Sequence, residues 1–211
     1  MYKRFGKRVI DIVLSGMGLI VLAVPMLIVA LLIKKEDPGS AIFVQKRVGL
    51  HKKHFNLYKF RSMRLDTPHD MPTHLLENPE QYILKVGAFI RKTSIDEIPQ
   101  LWNIFKGDMS IIGPRPALWN QDDLIAERDK YGANDVKPGL TGWAQINGRD
   151  ELEIPVKAKL DGEYVEKMGF FFDVKCFFGT ITSVLKSDGV VEGGTGELKK
   201  QEEKAEEEVT K

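Results

Sequence analysis

The chain has 211 residues, 43% of them hydrophobic, and its 31 basic residues nearly balance 30 acidic ones. That length suits one domain with attachments, and the near-neutral charge argues against a dedicated nucleic-acid binder. A lone cysteine, Cys176, excludes an internal disulfide and fits a reducing compartment.

The charge is unevenly spread. Residues 196–211 hold six Glu and four Lys, which leaves a mildly basic body of 27 against 24. At the other end Lys3, Arg4, Lys7 and Arg8 precede an uncharged stretch, Ile12 to Ile33, that Lys34 and Lys35 close. Such a stretch is long enough to span a bilayer core as a single helix. Two features favour a different path. Basic residues flank both ends, which asks for both ends on the cytoplasmic side. Pro25 sits mid-stretch, where it removes a helix hydrogen bond and favours a kink. A helix that enters, bends at Pro25 and returns satisfies both.

Short β segments follow at Ala41–Gln45 and Phe55–Phe60, around a turn at residues 49–53, and they predict a hairpin. Residues 41–65 carry seven Lys or Arg and no acidic residue. Most of these read as a solvated or headgroup-touching face. His51 and His54 stand among lysines that oppose a metal, and His69 and His74 lie in a loop-like stretch read as surface. A short helix is expected near Gln81–Arg91.

The stretch from Thr93 to Pro116 is the densest in chemistry. Asp96 and Glu97 stand at a predicted helix start, because Pro99 is tolerated only in a first turn. Leu101, Ile104 and Phe105 supply a buried face and Gly107 ends it. A first-turn position favours the ionised form of both carboxylates. The same residues admit a plainer assignment, in which Ser94 and Glu97 form a capping box and Asp96 complements the dipole.

Beyond it, Ala117–Tyr131 is predicted as a polar-faced helix. Pro138–Arg149 reads either as a structural Ω-like loop or as a nucleotide or sugar clamp through Gln145, Arg149 and backbone N–H groups. Glu153–Met168 is predicted as a helix. Phe170–Leu185 is another, apolar on too wide a face for one stripe, which suits a buried core helix or an interfacial membrane helix. Residues 189–196 read as a glycine-rich linker without phosphate-loop spacing, and the tail beyond as charged and disordered.

Five motifs occur together in order: Lys59-Phe60-Arg61-Ser62-Met63, Ser94-Ile95-Asp96-Glu97-Ile98-Pro99-Gln100, Lys106-Gly107-Asp108-Met109-Ser110, Gly113-Pro114-Arg115-Pro116 and Pro138-Gly139-Leu140-Thr141-Gly142. In these the chain resembles the bacterial sugar transferases of the monotopic phosphoglycosyl transferase superfamily, over roughly residues 1–190. The resemblance implies a mostly helical α+β fold with a re-entrant N-terminal helix-break-helix, a small β-hairpin and interfacial amphipathic helices. It divides the chain into an anchor (1–36), a catalytic domain (37–190) and a charged tail (191–211). One position departs, since Val24 precedes Pro25 where family members often carry Ser.

The resemblance further implies a two-step transfer. Asp96 would act as nucleophile on the β-phosphorus of a UDP-sugar, with Glu97 its partner, and polyprenol phosphate would then take the sugar phosphate. Mg²⁺ would sit on Asp96 and Glu97. Lys59, Arg61, Arg91, Arg115, Gln145 and Arg149 would contact substrate. By overall similarity the sugar would be an N-acetylated hexosamine. The location implied is the cytoplasmic face of the bacterial inner membrane, with downstream glycosyltransferases as partners and a homodimer left open. Two competing classes remain at this point: a non-catalytic membrane adaptor, and a membrane-bound Mg²⁺ phosphohydrolase.

Overall fold

The computed structural model describes residues 2–67, 79–148 and 152–186. Arg149, His69, His74 and the expected linker and tail lie outside the described residues. Helices α1 (Lys7–Val21) and α2 (Ala23–Glu36) meet at Leu22 with a 60° bend. Pro25 falls in the first turn of α2 and has no N–H to offer Val21, so the first helix ends there. The break therefore sits at Leu22, just ahead of the proline that causes it. Neither helix alone is long and apolar enough to cross a membrane, but the bent pair taken together is. Met17, Ile20, Val24, Leu27 and Leu31 stand exposed along it. The opposite side is not free. Ile33 is fully buried with Ala41, Phe60, Leu84 and Ile90, so the N-terminal segment shares a core with the body.

Strands β1 (Ile42–Val48) and β2 (His54–Phe60) form the antiparallel hairpin, in register from Ile42 opposite Phe60 to Val48 opposite His54. The first arm is longer than predicted. The hairpin tip is pinned by the ion pair Lys52–Asp129 (2.9 Å) and a hydrogen bond between His51 Nδ1 and Asp135 Oδ1 (3.0 Å), and Arg47 Nη1 donates to the Pro116 carbonyl (2.9 Å). Part of the basic face is thus spent on tertiary contacts.

Helix α3 (Lys85–Lys92) follows a 3₁₀ turn at Pro79–Tyr82. After the segment bearing the acidic pair comes α4 (Gln100–Lys106), closed by Gly107 at φ 104°, a left-handed position that glycine adopts without strain. Strand β3 (Ser110–Ile112) then pairs in parallel with β4 (Gly139–Thr141), Ser110 beside Gly139 and Ile112 beside Thr141. Three-residue strands carry too little alternation to announce themselves in a sequence. The backbones approach closely: a Cβ on Gly139 would lie 2.1 Å from Gly113 N, and one on Gly142 2.1 Å from Gly113 O. Pro138–Arg149 is therefore not an irregular loop in its described part. It holds β4 and a short α6 (Trp143–Ile146).

Helix α5 (Asp122–Asp129) is shorter than the predicted Ala117–Tyr131, while α7 (Ile154–Lys167) and α8 (Phe170–Lys186) match expectation. Arg128 on α5 donates twice to Asp161 Oδ2 on α7 (2.8 and 2.5 Å), both side chains buried. Helix α8 serves two faces. Phe172, Asp173 and Cys176 pack inward with Tyr164, whereas Phe170, Phe171, Phe177, Phe178 and Ile181 are exposed. Asp173 gathers Tyr2 Oη (2.5 Å), Lys7 Nζ (2.6 Å) and Tyr164 Oη (2.9 Å), joining both ends of the described chain. The fold is α+β and mostly helical.

Candidate active site

The acidic pair lies on a 3₁₀ turn, Ile95–Glu97, that leads through Pro99 into α4. Ser94, which precedes it, is left-handed (φ 55°) and its side chain makes no cap bond. The capping box is not formed. Glu97 turns its carboxylate instead toward two cations brought from elsewhere: Lys59 Nζ of β2 and Arg115 Nη2, each 2.9 Å from Oε1. Lys59 Nζ is also 3.8 Å from Asp96 Oδ2. Asn103, fully buried on α4, fixes β2 to this segment. Its Oδ1 accepts from Tyr58 N (3.0 Å) and its Nδ2 donates to Asn56 O (2.7 Å), next to Lys59 in sequence. Nothing local in the sequence marks Asn103 for this tie, because its β2 partners lie more than forty residues away.

Burial dominates the electrostatics of the pair. It raises the Asp96 carboxyl to about 6, with Glu97 pushing the same way and Lys59, Arg115 and Arg91 opposing. Burial would raise Glu97 as well, but Arg115 and then Lys59 hold it well below the ordinary carboxylate range. Two adjacent acids are thereby split into an ion-paired anion and a carboxylate that titrates near neutrality. At Asp96 desolvation works against the helix-end effect and raises the carboxyl to about 6, which still leaves it ionised at neutral pH.

The structure brings Asp96, Glu97, Lys59 and Arg115 together and sets Arg91, in the last turn of α3, where its charge acts on Asp96. Arg61 is a correction. It was expected to contact substrate, but its Nε donates to Ser40 O (2.8 Å) and its two Nη groups to Asp37 Oδ2 and Asp37 O. Buried and spent in this way, it braces the end of α2 against the end of β2. Gln145 is buried on α6, and neither amide atom finds a hydrogen-bond partner among the described residues. A buried amide in that condition costs stability unless a ligand or water completes it. It sits close by Gly142, the residue in contact with Gly113.

No group of three or more His, Cys, Asp or Glu suited to a metal occurs among the described residues. Asp96 and Glu97 nevertheless fit Mg²⁺, which takes one or two carboxylates and completes its shell with phosphate oxygens and water.

A profile of the bacterial sugar transferase family matches residues 2–187. The chain belongs to that family. It is 41% identical to the uncharacterized sugar transferase EpsL of Bacillus subtilis, covering 87% of this chain and 89% of that one. It is 38% identical to the undecaprenyl-phosphate galactose phosphotransferase of Salmonella typhimurium and 37% to the UDP-glucose:undecaprenyl-phosphate glucose-1-phosphate transferase of Escherichia coli. These cover 88% and 84% of this chain but only 42% and 40% of the relatives. The chain thus matches nearly all of one relative and less than half the length of the other two.

Proposed function

We propose that this protein is a phosphoglycosyl transferase that moves a sugar 1-phosphate from a UDP-sugar to polyprenol phosphate at the cytoplasmic face of the bacterial inner membrane. The observation that carries the reading is the split acidic pair, Asp96 buried beside a Glu97 already satisfied by Lys59 and Arg115. A carboxylate with a pKa near 6 is ionised at neutral pH yet more basic than an exposed one, which suits a nucleophile.

In the first step an Asp96 carboxylate oxygen bonds to the β-phosphorus, and the bond from that phosphorus to the bridging oxygen breaks. UMP leaves with the electron pair. In the second step an oxygen of polyprenol phosphate attacks the same phosphorus, the aspartyl bond breaks, and Asp96 regains its charge. Lys59, Arg91 and Arg115 hold phosphate oxygens, and Gln145 and Arg149 contact the donor. Mg²⁺ on Asp96 and Glu97 would neutralise the diphosphate so that an anion can approach it.

The apolar bent pair α1–α2 and the exposed phenylalanines of α8 support a seat in the membrane interface, where the lipid acceptor's phosphate lies. The sugar is proposed to be an N-acetylated hexosamine. Relatives carry names specifying galactose, glucose and, in Aeromonas hydrophila, N-acetylgalactosamine, so a panel of UDP-sugars is the decisive comparison.

Intact-protein mass spectrometry tests the covalent step. Wild type given UDP-sugar and Mg²⁺ without lipid should gain a sugar phosphate, and Asp96→Asn should gain nothing. Initial rates against both substrates should give parallel lines. Intersecting lines with no adduct would mean direct transfer in a ternary complex. UMP release without lipid at the full rate would point to a hydrolase.

A further inference from the structure

The residues from Asp96 to Arg115 form one excursion whose ends meet at the Glu97–Arg115 ion pair. It runs out along α4, turns at Gly107 and returns along β3. Besides β2 and β4, one helix braces its middle on both limbs. On α1 the guanidinium of Arg8 donates to the carbonyls of Ile104 (2.6 Å) and Phe105 (2.7 Å), in the last turn of α4. One turn further along α1, Asp11 Oδ1 accepts from Ser110 Oγ (3.0 Å) and Ile111 N (2.9 Å) on β3. Asp11 is 3% exposed and Ser15 is fully buried. Gly16 and Gly18 give room for Phe105 and Leu101, since a Cβ on either glycine would lie 3.3 or 3.0 Å from those side chains. Arg8, Asp11, Ser15 and Gly18 follow helical spacing, so a single stripe of α1 docks on both limbs of the excursion.

Two facts set Asp11 apart from an ordinary packing residue. No cation lies within ion-pair distance of it among the described residues, although burying an unpaired carboxylate is costly. Both of its bonds fall on the strand that leads directly to Gly113 and Arg115. Arg8 for its part satisfies carbonyls that α4 leaves unbonded at its end.

We infer that Arg8 and Asp11 are positioning residues, through which the seating of α1 sets the distance between the acidic pair and Arg115. This rests on the proposed roles of Asp96, Glu97 and Arg115. A small displacement of Arg115 relative to Asp96 changes the transition state more than the binding of substrate. The effect therefore belongs in kcat rather than KM.

The test uses the full chain in lipid nanodiscs containing polyprenol phosphate. The donor is whichever of UDP-glucose, UDP-galactose and UDP-N-acetylgalactosamine turns over fastest. Asp11→Ala should lose on the order of 10- to 100-fold in kcat with KM for the donor within about threefold of wild type. Asp11→Asn keeps an oxygen that can accept both bonds and should restore kcat to within about threefold. Tyr2→Phe is the control. It releases the N-terminal turn from Asp173 without touching α4 or β3, and should lower thermal stability while leaving kcat unchanged. Each rate is read at a fixed interval below that variant's own melting temperature.

An Asp11→Ala kcat equal to that of Tyr2→Phe overturns the inference, as does an Asp11→Asn as slow as Asp11→Ala. Should Asp11→Ala not fold, Ser110→Ala removes one of the two bonds and leaves α1 intact. A selective loss of kcat supports the inference and an unchanged kcat overturns it. Asp96→Asn run alongside separates the two levels: activity there sinks the site assignment itself, whereas an inactive Asp96→Asn beside a normal Asp11→Ala sinks only the positioning role.

Discussion

Lys59 stands 2.9 Å from Glu97 Oε1 and 3.8 Å from Asp96 Oδ2, so one ammonium from the hairpin serves both members of the acidic pair unequally. It completes the neutralisation of Glu97 and is the largest influence holding the Asp96 pKa down. Lys59→Met should therefore cost on the order of 100-fold in kcat/KM, comparable to losing one preorganised charge contact. Glu97 would keep Arg115, so the fold should survive. Steady-state kinetics with circular dichroism on the same sample checks both halves.

The pH dependence follows from Asp96. The nucleophile must be ionised, so kcat/KM in wild type should fall as pH drops through about 6. Lys59→Met should move that limb upward, because the main opposing charge is gone. Stability carries the opposite sign. A carboxyl raised from 3.8 to about 6 on folding stabilises the folded state fully below the lower value and loses that contribution as pH rises through the upper one. Asp96→Asn should remove this slope. Melting temperatures of metal-free wild type and variant between these two values give the comparison.

The Arg128–Asp161 pair predicts a purely structural effect. Both side chains are buried, and Asp161 Oδ1 has no partner among the described residues. Removing one charge strands the other, so Arg128→Met should destabilise the protein by about 3–5 kcal/mol. Arg128→Met with Asp161→Leu should recover much of that loss. Chemical denaturation in detergent measures both, and equal losses in the single and double variants would refute the argument.

The bend at Leu22 bears on topology. If the N-terminal pair enters and returns, a cysteine placed at Lys3 in a Cys176→Ala background should resist an impermeant thiol reagent in intact cells. Pro25→Leu restores an N–H that can reach the Val21 carbonyl, and should straighten the pair toward spanning. That variant should then label from outside. Labelling of the unsubstituted Pro25 form would instead restore a simple span.

Local chemistry alone placed α7, α8 and the hairpin and put the acidic pair just ahead of α4, because side-chain periodicity, proline and glycine act within a few residues. The motifs named the family for the same reason. Tertiary structure decided the rest. Arg61 looked like a phosphate ligand until Asp37 and Ser40 took its donors. Asp11, a charge at the edge of an apolar stretch, became a buried tie to a strand about a hundred residues away. The pairing of β3 with β4 and the inequality of Asp96 and Glu97 likewise depend on burial and on partners distant in sequence. Which cation reaches which carboxylate, and how much water is left between them, are properties of the packed chain.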